Sequence, residues 1–105
     1  MIPKKLLLVG PMTGLPNYNR EAFARAKKFF EIQGFTVINP GEPDPSLKDS
    51  DWSGYMRRSM ENLLRVQAIG LLPGWEESVG ARLEVDVANA LNIPIIAEEH
   101  NENHA

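Results

Sequence analysis

The sequence predicts an α/β domain, a parallel sheet of four to five strands with helices on both faces and the first strand central, in a flavodoxin-like order. Three observations predict it. Short apolar runs alternate along the whole chain with stretches of helical period. The runs are continuously apolar, as in strands buried on both faces, and do not show the period of two of a half-solvated sheet. Most of them stop at glycine or proline, where the chain can turn. With 105 residues there is material for one hydrophobic core and not for two. Residues 1–97 are therefore read as a single domain and 98–105 as a polar C-terminal tail.

Lys4-Lys5-Leu6-Leu7-Leu8-Val9 reads as the opening central strand, ended by Gly10-Pro11. After a loop, Asn19 is an expected N-cap for a helix from Arg20 to about Gln33, with Phe23, Ala26 and Phe30 at helical spacing and Gly34 at its end. Phe35-Thr36-Val37-Ile38 has strand composition and Asn39-Pro40 closes it. The stretch Gly41 to Ser50, rich in proline and acid, reads as a long loop, either a lid or a tolerated insertion. Asp51-Trp52-Ser53 leads into a second helix reaching about Val66, with Tyr55, Met56, Met60, Leu63 and Leu64 as its apolar members. Ala68 to Leu72 is a third strand, broken at Pro73-Gly74. A third helix follows, capped by Ser78, whose apolar face is expected to carry Val79, Leu83, Val87 and Ala90 or Leu91. Ile93 to Ala97 supplies the last strand.

Bulk composition narrows the function classes. A formal charge of −3 argues against a protein that wraps a polynucleotide backbone, which requires clustered Lys and Arg. The chain has no cysteine, so disulfides, thiolate chemistry and cysteine-ligated metal clusters are excluded. Both histidines, His100 and His104, lie in the tail without metal-ligand spacing, and no Ser-His-Asp arrangement is available. The apolar stretch Leu6 to Val9 is too short for a signal peptide or a membrane span, and the expectation is a cytoplasmic protein needing neither metal nor cofactor.

Chemistry is expected where the third strand turns into the third helix. In open α/β sheets, ligands lie beyond the carboxyl ends of the strands, at the switch point. Gly10 to Gly14 would there oppose Gly74 to Gly80. Neither loop has the Walker A lysine or the dinucleotide spacing, so ATP hydrolysis and hydride transfer are not expected. The helix start at Ser78-Val79-Gly80 offers free amides and a favourable dipole to an anion such as phosphate, and Arg57 and Arg58 could add charge. Glu84 stands among Gly80, Ala81 and Ala88, which leave space beside its carboxylate. Carboxylates act as nucleophiles at anomeric carbons. On spacing alone, Glu84 reads equally as a solvated helix residue.

Several blocks together resemble the small DUF4406 family: Gly10-Pro11-Met12-Thr13-Gly14, Asn17-Tyr18-Asn19 with Phe23, Asn39-Pro40, Trp52 with Tyr55-Met56-Arg57, and Leu72-Pro73-Gly74-Trp75 running to Ser78, Gly80, Ala81 and Glu84. That family is related to the nucleoside 2-deoxyribosyltransferases and the deoxynucleoside 5′-monophosphate N-glycosidases. The resemblance implies a three-layer Rossmann-like fold, a small nucleoside or nucleotide ligand, frequent homodimers, and members common in phages and prophages. It implies Glu84 as the nucleophile at C1′. It also implies Ser78 and Gly80 as holders of the sugar or its phosphate and Gly10, Pro11, Met12, Thr13 and Gly14 as a wall against base and sugar. Asn39, Arg57, Pro73, Gly74, Trp75 and Ala81 fall in the same blocks and are candidates for substrate contact.

The chain departs from the related enzymes where they carry acids. Ser59 stands where they place an aspartate in the second helix, and Gln67 where a second aspartate is usual before the third strand. Their catalytic tyrosine would fall near Leu7, so Tyr18 or Tyr55 would have to serve. Two readings follow: an enzyme acting on N-glycosidic bonds, by hydrolysis or transfer, and a nucleotide-binding protein impaired in turnover. A third treats Trp52, Tyr55 and Trp75 as a protein-contact surface.

Overall fold

The computed structural model describes residues 4–99. The tail from 100 onward, with both histidines, lies outside the described residues. Four strands form one sheet: β1 (Lys5–Val9), β2 (Thr36–Ile38), β3 (Ala68–Leu71) and β4 (Ile95–Ala97). All pairings are parallel and the order is β2-β1-β3-β4, with β1 and β3 in the middle. Each crossover carries one helix: α1 (Arg20–Ile32), α2 (Trp52–Leu63) and α3 (Val79–Ala90).

The uninterrupted apolar strands do what their composition requires. Leu6 and Leu8 of β1 pack with Phe23, Ala26 and Phe30 of α1 on one face. Leu7 and Val9 point the other way and pack with Leu63 of α2 and Ala81, Val85 and Ala88 of α3. The result is three layers, α1 on one side and α2 with α3 on the other. Gly70 permits the tight fit of α1 on β3, since a Cβ there would fall 2.6 Å from the Phe30 ring.

Three local readings need correction. Helix α3 does not bury the Val79, Leu83 and Leu91 stripe: Val79 is 64% exposed, Leu83 44% and Leu91 49%. Its inward face is Gly80, Ala81, Glu84, Val85 and Ala88. Small side chains let α3 lie close to the sheet and to α2, and a helix cannot also bury the stripe roughly one residue around from them. Asn19 precedes α1 but makes no cap; its φ is 60° and its side chain donates to the Pro11 carbonyl at 2.9 Å. Leu64, expected on the apolar side of α2, lies past its end and is 69% exposed.

Candidate active site

The turn after β3 builds one side of the site. Gly74 takes φ 86°, a short turn covers Trp75–Glu77, and Ser78 in extended conformation starts α3. Its hydroxyl accepts from the Ala81 amide at 3.2 Å, the cap expected from sequence. The amides of Val79 and Gly80, at the start of the helix, have no acceptor inside it. Opposite lies the β1–α1 loop, held by Asn19 on Pro11, with Pro11 approaching the Gly74 position. Asn17, Tyr18 and Asn19 are all left-handed, at φ 49°, 52° and 60°. Such a conformation in an aromatic residue is strained and recurs at ligand sites. Here it lays the Tyr18 ring beneath the Arg20 guanidinium, 5.2 Å from the ring centre.

Between these loops is a hollow of about 370 Å³, within the range of sites for small ligands. Glu84 lies on its wall, 6% exposed. It is joined there by Gly10, Met12, Thr13, Gly14 and Tyr18 from the first loop, Tyr55 and Ser59 from α2, and Ser78, Gly80 and Ala81 from α3. A larger, shallower depression adjoins it, sharing Thr13, Trp52, Ser78 and Gly80 and reaching Pro11, Pro73 and Gly74. Three expected residues line neither. Arg57 is an exposed residue of α2. Asn39 turns its side chain onto the Gly41 amide at 2.8 Å. Trp75 packs on the core under α3.

Ser59 gives Glu84 its partner. The hydroxyl donates to Glu84 Oε2, and both side chains are buried. Burial pushes the Glu84 carboxyl up to about 7, against the opposing pull of the Ser59 hydrogen bond. The group is thus poised to ionise near neutral pH while water is largely withdrawn from it. One turn before Ser59 on the same helix face, the Tyr55 hydroxyl is buried beside the Arg20 guanidinium, with no well-aligned hydrogen-bond partner among the described residues. A buried hydroxyl so situated in a hollow marks a place for a polar ligand atom.

Sequence reasoning missed Arg20, Asp49 and Ser50, which line the same hollow. Arg20 Nε donates to the Gly41 carbonyl at 3.0 Å and Nη2 to Asp49 Oδ1 at 2.8 Å. Bonding to Asp49 holds its guanidinium charged beyond the ordinary arginine range. The available signal was the acid-rich loop itself. Among the described residues no group of His, Asp or Glu side chains is arranged to hold a metal ion, and no helix is long and apolar enough to cross a membrane.

The fold matches that of a solved 2-deoxyribosyltransferase from the psychrotolerant bacterium Bacillus psychrosaccharolyticus. The TM-score is 0.69 at 16% identity, over 92% of this chain and 77% of that one. At this identity the likeness concerns the fold. A comparison with curated proteins finds no match. The profile of DUF4406, a domain of unknown function, matches residues 4–97, from the first strand through the last, and the chain belongs to that family.

Proposed function

We propose that this protein breaks or transfers the N-glycosidic bond of a deoxynucleoside or its 5′-monophosphate through Glu84. The observation that carries this reading is a buried carboxylate, bonded to one serine hydroxyl, on the wall of a nucleoside-sized hollow beside a free helix N-terminus. Glu84 attacks C1′ of the sugar, the C1′–N bond breaks, and its electron pair leaves with the base, which takes up a proton. Water or a second base then displaces the carboxylate from the glycosyl intermediate. The start of α3, at Ser78 and Gly80, holds the sugar or its phosphate.

Ser59 cannot protonate a leaving base as an aspartic acid would, but its hydrogen bond favours the ionised nucleophile. Asp49, the other carboxylate on the hollow, is shared with Arg20. This leaves the Tyr55 hydroxyl, beside the Arg20 guanidinium, as the O–H donor, with Tyr18 as part of the wall. The same shortage of acids favours the second reading, a nucleotide-binding protein with little or no turnover. The reading includes assembly as a homodimer, which sedimentation would test.

Incubation with a panel of deoxynucleosides and their monophosphates, followed by chromatography, separates the two. The enzyme releases free base, and Glu84→Gln does not. A nucleotide that raises the melting temperature and is recovered intact supports the binder. Base release that survives in Glu84→Gln refutes the assignment of the nucleophile.

A further inference from the structure

Three ion pairs are present among the described residues, and all three fasten one segment. Asp49 binds Arg20 of α1 at 2.8 Å, Glu42 binds Lys27 of α1 at 3.0 Å, and Asp44 binds Arg58 of α2. The acids belong to the β2–α2 connection and the bases to the two helices that flank it. That connection contributes Pro40, Asp49 and Ser50 to the wall of the Glu84 hollow. Apolar packing does little for it: between Gly41 and Asp51 only Gly41 is buried, and only Asp44 and Leu47 are half-buried.

We infer that residues 41–50 form a cover over the Glu84 hollow, fastened by charge, with Arg20 as its latch. Arg20 differs from the two outer bases. Its side chain is 17% exposed, against 35% for Lys27 and 52% for Arg58. It alone holds both ends of the cover, the Gly41 carbonyl at the start and Asp49 near the finish. It also rests on Tyr18, so one side chain ties the cover to the β1–α1 loop. Exposed pairs contribute little singly, whereas several on one otherwise unpacked segment decide whether it stays down. Salt screens them and leaves the sheet untouched.

A ligand seated against Pro40, Asp49 and Ser50 is linked to the position of the cover, so each favours the other. Even an uncharged ligand therefore binds less tightly as salt rises. This consequence rests on the proposed function; the fastening does not.

Hydrogen exchange followed by mass spectrometry on the full chain tests the fastening. Raising NaCl from about 20 mM to about 500 mM, which shrinks the screening length several-fold, speeds exchange of peptides within 41–50 and leaves α3 peptides unchanged. Arg20→Met speeds the same peptides roughly 5- to 30-fold at low salt, the effect of losing one to two kcal/mol of fastening. Lys27→Met and Arg58→Met have smaller effects. If Arg20→Met does not fold, Asp49→Asn and the salt series on the unaltered chain decide. Exchange in 41–50 that ignores both salt and Asp49→Asn overturns the inference. In a binding arm, thymidine affinity falls with salt in the unaltered chain and loses most of that dependence in Asp49→Asn; a slope equal in both also overturns it. Should thymidine bind at neither salt, the proposed function is what suffers, and the exchange result still decides the cover.

Discussion

Glu84→Gln should make the protein more stable at pH 8.5 and change it little at pH near 4. Burial is the cause. In the unfolded chain the carboxyl ionises near its ordinary value of 4.5; in the folded protein it ionises at about 7. A raised folded value means that the native state holds its proton more tightly, so this group's contribution is fully present below the unfolded value and is lost as pH rises through the folded one. Above about pH 7 the native state carries a buried anion whose cost, at ~1.4 kcal/mol for each tenfold change in proton affinity, comes to about 3 kcal/mol. Glutamine fills the same space, can still bond Ser59, and does not ionise. For a domain of this size the gain corresponds to a rise in Tm of about 15 °C at alkaline pH. Thermal melts of both proteins across pH 3.5 to 8.5 check it, the two curves meeting at the acid end and diverging between about pH 4.5 and 7. Parallel curves, or a variant less stable at every pH, would refute the idea that Glu84 is a desolvated acid.

Other substitutions at the site have distinct signatures. Tyr55→Phe removes a buried hydroxyl whose neighbour is the Arg20 guanidinium and is expected to change stability by no more than about 1 kcal/mol while base release drops. Turnover and melting measured on one preparation would show it. Ser59→Ala deletes the bond that favours ionised Glu84, so the pH profile of kcat/KM moves alkaline by about one pH unit. Gly80→Ala places a methyl 3.0 Å from Met56 Sδ and 3.6 Å from the Trp52 indole nitrogen. Met56 can shift, so stability falls by only about 1 kcal/mol while nucleotide affinity, read by calorimetry, drops more steeply.

How far the sequence disclosed this arrangement depends on how local each interaction is. The strands were legible because their burial on both faces writes continuous apolar runs. The Ser78 cap was legible because donor and acceptor are three residues apart. On α3, the larger side chains Val79 and Leu83 dominate any reading of apolar period and point outward. The true inward face is marked by smallness, at Gly80, Ala81 and Ala88 around Glu84. The residues that made room for the carboxylate were thus visible, although the face they define was not. Asn19 has the right chemistry for a cap, but a tertiary contact to Pro11 claims its side chain. Arg20 was hidden because its partners lie 21 and 29 residues along the chain, beyond any local pattern.

The central claim is that Glu84 forms a bond to the sugar carbon. Rapid acid quench during turnover of a deoxynucleoside monophosphate, followed by peptide mass analysis, tests it most directly. A deoxyribosyl-phosphate adduct on the peptide containing Glu84, absent from Glu84→Gln, is the predicted result. Base release with the adduct on another residue, or with an adduct that persists in Glu84→Gln, would contradict it.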